Sequence, residues 1–254
     1  MNLSSIKVPV KYQLFTFRHT VLIMYLCVYL VVAFTAVSNM LNRPDYAFCT
    51  AMESVSAITI FVIGLNSFKE DFKFFAANSI SRRTQFFSTA AALGIVSVLF
   101  AFIDTVNSIL YSFIPSIEYH SIFSFLYYGY RFDPLAKQIL TAEQLIGNFF
   151  WLIFLDFWLA MLGLFITTLY YRMNKGLKIA VSVAVPVLLN FGLDGLDRST
   201  GGKSTNLISA IFRFAFFGNY QDHNPYIGML SMFILAAIAA ALALVLARKA
   251  DIKK

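Results

Sequence analysis

Six stretches of this sequence are apolar for close to the length that a lipid bilayer demands. The hydrocarbon core is about 30 Å thick and an α-helix rises about 1.5 Å per residue, so about 20 apolar residues make one crossing. The stretches run from about 20 to 39, 46 to 68, 87 to 108, 145 to 171, 178 to 193 and 226 to 247. The fifth is the shortest and contains Pro186. Together with short connections they consume almost all of the 254 residues. Composition points the same way. Charged residues make up 13% of the chain, against about 25% in soluble domains. The expected fold is therefore a single all-α integral membrane domain over residues 1–254, with six transmembrane helices.

Loop charges predict an orientation, because cytoplasmic loops collect Lys and Arg. With the N-terminus inside, the inner segments carry Lys7, Lys11 and Arg18; Lys69, Lys73, Arg82 and Arg83; Arg172, Lys175 and Lys178; and Arg248, Lys249, Lys253 and Lys254. Only Arg43, Arg131, Lys137, Arg198, Lys203 and Arg213 fall outside. Both termini are thus placed in the cytoplasm. The net charge of +7 is explained by this bias, and no nucleic-acid partner is expected. The first apolar run has no convincing small-residue cleavage site and reads as a retained span. Cys27 and Cys49 lie in apolar runs and read as small buried residues without a disulfide.

Three connecting regions stand out. Residues 1–19 mix Leu3, Ile6, Val8, Val10, Tyr12, Leu14, Phe15 and Phe17 with basic residues, as an amphipathic segment on the inner leaflet does. The outer loops 109–144 and 194–225 are rich in aromatics, among them Phe123, Tyr127, Tyr128, Tyr130, Phe212, Phe216 and Tyr220. Aromatic side chains favour the headgroup level, so interfacial or reentrant segments are expected before span six, with ordinary packed loops as the alternative. In span six, Ala236 and Ala240, and Ala237 and Ala241, are four apart, a spacing that lets helices approach closely. No internal repeat is visible.

Catalytic patterns fail on inspection. Gly201-Gly202-Lys203-Ser204-Thr205 resembles the end of a phosphate-binding loop, but Asp197 stands where the first glycine belongs. His120 and His223, with Glu118 and Asp222, fall short of the three or four convergent ligands a metal needs. No nucleophile elbow and no His-Glu cluster appears. The chain is expected to have no catalytic residues, no metal and no cofactor of its own.

Three carboxylates fall within spans: Glu53, Asp104 and Asp156. Ionisable groups in hydrocarbon are costly and face other helices or wet cavities. They read as a structural polar cluster with Asn107, Asn190, Ser54 and Ser56, as the lining of a translocation path, or as proton-coupling groups.

The inner loop after span two runs Lys69-Glu-Asp-Phe-Lys-Phe-Phe-Ala-Ala-Asn-Ser-Ile-Ser-Arg-Arg-Thr-Gln-Phe-Phe87. Phe68, Phe72 and Phe75 recur at helical spacing between charges, which predicts a short amphipathic helix. Such a helix suits a partner's groove or the membrane surface. Within the loop, Asn78-Ser-Ile-Ser-Arg-Arg-Thr-Gln-Phe-Phe87 resembles the Asn-Gly-Val-Ser-Arg-Lys-Thr-like sequence between spans two and three of type-2 ATP-binding-cassette permeases of Gram-positive bacteria. Ser79 stands where glycine is frequent. The six-span layout, the amphipathic N-terminal segment and the reentrant outer segment before span six are similar too.

The resemblance implies a permease subunit of an ABC exporter in a bacterial plasma membrane. Glu70, Asp71, Phe72, Phe75, Asn78, Ser81, Arg82 and Arg83 would couple to separate ATPase subunits, which supply ATP and Mg. A second permease copy or a sibling would complete the path. The chain size also resembles that of permeases exporting phenol-soluble modulins and bacteriocins, which implies a hydrophobic or amphipathic peptide cargo. The competing reading is a proton-coupled secondary transporter using Asp156 and Glu53.

Overall fold

The computed structural model describes residues 4–42, 47–50, 52–114, 117–127, 141–188, 191, 193–201, 203–217 and 224–248. Arg43, Tyr128, Tyr130, Arg131, Lys137, Asn190, Gly202, Tyr220, Asp222, His223, Lys249, Lys253 and Lys254 lie outside the described residues. In chain order the elements are α1 (Ser4–Asn42), β1 (Ala47–Thr50), α2 (Glu53–Asn66), α3 (Lys69–Ala77), α4 (Arg82–Ser112), β2 (Ile117–His120), α5 (Ile122–Tyr127), α6 (Ala142–Arg172), α7 (Lys175–Val187), α8 (Leu193–Thr200), α9 (Lys203–Phe217) and α10 (Pro225–Arg248). Among the described residues the fold is helical except for one parallel pair of four-residue strands, β1 and β2, with Ala47 opposite Ile117.

Four helices, α1, α4, α6 and α10, are long and apolar enough to cross a membrane. Their outward faces keep large apolar side chains exposed, among them Leu22, Ile23, Leu30 and Phe34 of α1 and Leu230, Phe233 and Ile238 of α10. An apolar surface on this scale is the surface of a membrane protein. The second and fifth apolar runs form shorter helices than their lengths predict. Helix α2 has 14 residues and α7 has 13, or about 20 Å each. Turns at Ser67 and Phe68 and the β1 strand take the ends of the second run. Pro186 lies near the end of α7, where its missing N–H weakens continuation.

The N-terminal segment is not a separate interfacial helix. It is continuous with the first span. The reason is a single buried stripe at helical spacing, Pro9, Gln13, Phe17, Val21, Met24 and Tyr25, Val28 and Val32, which packs α1 along α4. Its 39 residues extend about 58 Å, longer than any hydrocarbon core, so the first turns project past it. Cys27 falls off this stripe and is exposed, against expectation.

Helix α6 is the hub. It contacts α10, α2, α4, α5 and α3. Against α10 it meets a stripe of Ala236, Ala239, Ala243 and Ala247, all buried, whereas Ala237 and Ala241 face outward. Against α2 the backbones themselves touch. A Cβ on Gly64 would collide with the Ala160 carbonyl oxygen. One on Gly163 would lie 2.5 Å from the Phe61 carbonyl oxygen and 2.9 Å from the Leu65 nitrogen. Small residues at such a crossing are what allows helices to pack closely in lipid.

The turn from α3 into α4 explains the Asn-Ser-Ile-Ser sequence. The Ile80 N–H donates to the Phe75 carbonyl at 3.0 Å and the Ser79 N–H to that of Ala76 at 3.1 Å. These two bonds form a Schellman ending, which needs a left-handed residue. Ser79 provides it with φ of 57°. Ser81 then caps α4 by accepting from the Thr84 N–H at 3.2 Å.

The helix crossing and the turn each make a stability prediction. Gly64→Leu forces backbones apart and is expected to cost about 3 kcal/mol, seen as a lowered melting midpoint in detergent. Ser79→Val places a β-branched side chain in the left-handed region and is expected to cost about 1–2 kcal/mol. Ser79→Gly is expected to keep the wild-type midpoint or raise it.

Candidate functional site

Two sets of polar residues occupy opposite ends of the helical bundle. One surrounds α3. The other gathers the three carboxylates of α2, α4 and α6.

Helix α3 is held by its apolar face. Phe72 and Phe75 are each 1% exposed. Phe72 packs on Phe68 and on Tyr171 at the end of α6, with ring centroids 5.1 and 5.5 Å away. Tyr12 of α1 stacks on Phe74 at 4.7 Å and meets Phe75 edge-on at 5.8 Å. The polar tie is Gln13, wholly buried, whose Nε2 donates to Asp71 Oδ2 at 2.9 Å and to Thr89 Oγ1 at 2.7 Å. One amide thus joins α1, α3 and α4.

The eight residues assigned to partner coupling therefore divide. Asp71, Phe72 and Phe75 point into this chain. Asn78 is exposed, but its Nδ2 donates to the Phe74 carbonyl at 2.8 Å. Arg82 donates from Nη1 to the Arg248 carbonyl at 2.8 Å, tying the start of α4 to the end of α10. Ser81 is exposed and is used as the α4 cap. Glu70 and Arg83 are exposed, together with Lys69, Lys73 and half-exposed Phe74. The outward surface of this segment is thus basic and acidic groups around an aromatic ring.

Burial pushes the Asp71 carboxyl above its ordinary value of 3.8; the Gln13 hydrogen bond opposes this and the neighbouring Glu70 charge adds to it. A group that holds its proton more tightly when folded stabilises the fold fully below its unfolded value. That stabilisation is lost as pH rises through the folded value.

At the other end, Glu53, Asp104 and Asp156 are 2%, 5% and 0% exposed. Glu53 opens α2, and each of its oxygens has a partner. Oε2 accepts from the Ile122 N–H at 2.7 Å and Oε1 from Asn148 Nδ2 at 3.0 Å. It fastens α5 and α6 to the start of α2. Asp104 accepts from the Tyr25 hydroxyl at 3.0 Å through Oδ1 and is also met by the Ser56 hydroxyl. Asn107, one turn on, accepts from the Tyr29 hydroxyl at 3.0 Å. Asp156 stands at the middle of α6, and neither of its oxygens has a partner. Ser56 is buried and borders the same region. Ser54 is half-buried.

The Gly201–Thr205 stretch is not built as a phosphate loop. The residues before it form α8, not a strand, and Lys203 begins α9. His120 lies in β2. Among the described residues no three His, Cys, Asp or Glu side chains converge on a metal site. The helices α8 and α9 precede α10, with Phe212 stacked on Phe216 at 6.0 Å. Tyr127 of α5 accepts from Trp151 Nε1 at 3.1 Å and donates to the Phe216 carbonyl, which joins α5, α6 and α9.

Sequence reasoning misses Gln13, Thr89, Tyr25, Tyr29 and Asn148. Gln13 has a visible signal, as the one amide on an otherwise apolar stripe. The tyrosines have none, because their hydroxyls find partners only through tertiary packing. Comparison with protein-family models, curated proteins and solved structures found no match.

A pH series tests the α3 anchor. Asp71→Asn removes the titrating group, so as pH rises from the ordinary carboxylate value upward the wild-type midpoint is expected to fall relative to that of the variant. A constant difference over that range contradicts the assignment.

Proposed function

We propose that this chain is the permease subunit of an ABC exporter, moving a hydrophobic or amphipathic substrate, a peptide in the first instance, out of the cell. Separate ATPase subunits bind ATP and Mg, and a second permease, identical or sibling, completes the path. The observation that carries the reading is α3: a nine-residue helix between α2 and α4 whose inner face is locked to α1, α4 and α6 and whose outer face is charged. A force applied to it reaches three long helices without loss in a flexible loop. The capped turn that follows supports the reading, since it gives a physical role to the residues of the permease-like sequence.

In this reading the chain crosses the membrane six times, with α2 and α7 as the second and fifth crossings. The distribution of Lys and Arg puts α3 and both termini in the cytoplasm. The partner surface is narrower than the sequence alone implies. Glu70, Lys73, Phe74 and Arg83 face the ATPase, while Asp71, Phe72 and Phe75 anchor the helix from behind. The carboxylates belong to the opposite half of the bundle and take no part in docking.

Affinity purification of the tagged chain, co-expressed with a candidate ABC ATPase, tests this. Lys73→Glu and Arg83→Glu are expected to lower ATPase recovery about tenfold, as loss of a charged anchor does at an interface, with the melting midpoint unchanged. Recovery equal to wild type in both variants, or transport that persists without ATP, contradicts the proposal.

A further inference from the structure

We infer that the cavity between the first half of α6 and the beginning of α10 is a binding site for an amphipathic cation, a molecule with an ammonium head and an apolar tail. The cavity measures about 790 Å³, within the range of about 300–1,000 Å³ usual for small-molecule sites. Four aromatic side chains line it, Phe123, Phe150, Phe154 and Tyr226, together with Met229. Glu143 is the one charged residue among its described lining residues. Glu143 is exposed and Phe123 is 1% exposed. The cavity therefore grades from a carboxylate at its mouth to aromatic rings inside. From Glu143 to Phe154 the α6 wall is about 16 Å long, which is long enough for an alkyl tail.

The inner wall is preformed. Phe123 belongs to α5, and it lies against the α6 backbone because Gly147 has no side chain. A Cβ on Gly147 would stand 2.7 Å from the Phe123 ring. The ring is held from behind by Tyr127 and Trp151, with centroids 5.3 and 6.2 Å away. The neighbouring Ile122 N–H donates to Glu53 at 2.7 Å and pins the start of α5. A ligand entering this cavity finds its walls in place and loses little affinity to ordering them.

Charge and apolar lining select the ligand. A cation is attracted by the carboxylate and by the faces of aromatic rings. An anionic amphiphile meets Glu143 as a like charge. A phospholipid brings a phosphate, whose usual partners are Arg and Lys, and neither is among the described lining residues. A small hydrophilic cation leaves the apolar walls uncovered, whereas an apolar tail takes them out of water. The inference stands independently of the permease reading, since it needs only the packing of α5, α6 and α10.

Fluorescence quenching of the full chain in a neutral maltoside detergent tests it. Trp151 and Trp158 are the two tryptophans of the chain, so Trp158→Phe leaves Trp151 as the reporter behind Phe123. The probe is dodecyltrimethylammonium brominated at the end of its tail, and the control is dodecanol brominated at the same place. Saturable quenching by the cation is expected, with the alcohol about tenfold weaker for want of the charge. Glu143→Gln is expected to lose most of that preference and to bind the alcohol as before. Phe150→Ala is expected to weaken the cation about threefold. Quenching that rises linearly without saturation overturns the site, because the probe then only partitions into the micelle. Equal affinities for cation and alcohol overturn the ligand class, and that comparison needs neither site variant to fold. An undiminished preference in folded Glu143→Gln overturns the role of the carboxylate. Displacement of the probe by an equal concentration of phosphatidylcholine makes the occupant a phospholipid and also overturns the inference.

Discussion

The close contact of α2 with α6 is what the rest of the structure depends on. Helix α2 has 14 residues, about 21 Å of helix, too short to fix its own position across about 30 Å of hydrocarbon. Its place is set by the backbone contact at Gly64 and Gly163. Polar contacts gather at both ends of α2. At one end Glu53 receives Ile122 and Asn148. At the other, Ser67 and Phe68 turn the chain into α3, and Phe68 meets Tyr171 of α6 with centroids 5.5 Å apart. A side chain at either glycine would displace both ends together.

The interior treats its acidic residues in two ways. Glu53 and Asp71 are fixed by protein donors that tie separate elements, a backbone N–H and Asn148 for the first, Gln13 for the second. Such partnered groups specify geometry, since alternative packings leave them unsatisfied. Asp104 is met only by the hydroxyls of Tyr25 and Ser56, and Asp156, in the middle of α6, by no donor among the described residues. A buried carboxylate without a donor is costly in its charged form.

The helical membrane fold is legible in the sequence because apolar length is a local property. Helices α1, α4, α6 and α10 contain the apolar runs that announce them. The second and fifth runs overstate their helices, since an apolar run does not distinguish helix from an extended strand or a tight turn; Ala47–Thr50 and Ser67–Phe68 are the instances. The N-terminal segment reads as a separate element because its basic residues obscure a buried stripe that continues past Arg18. At the candidate sites, the acids are visible by composition, yet their division into partnered and free groups is not. That division depends on Asn148, Tyr25 and Gln13, which lie tens of residues away in sequence. The inner loop shows its helix but not which face turns inward, because Phe74 is as apolar as Phe72 and only the packing of Phe72 on Phe68 and Tyr171 separates them.

A rigid, tethered helix at one end of the membrane domain and a buried acidic pocket at the other give the molecule a polarity across the bilayer. That polarity is the central claim, and accessibility of single cysteines measures it directly. With Cys27 and Cys49 replaced by serine, one cysteine is placed at Lys73 on α3 and another, in a separate variant, at Glu143 at the start of α6. A membrane-impermeant maleimide is predicted to label the Glu143 position in intact cells and the Lys73 position only after the membrane is opened. Labelling of both positions in intact cells would contradict the claim.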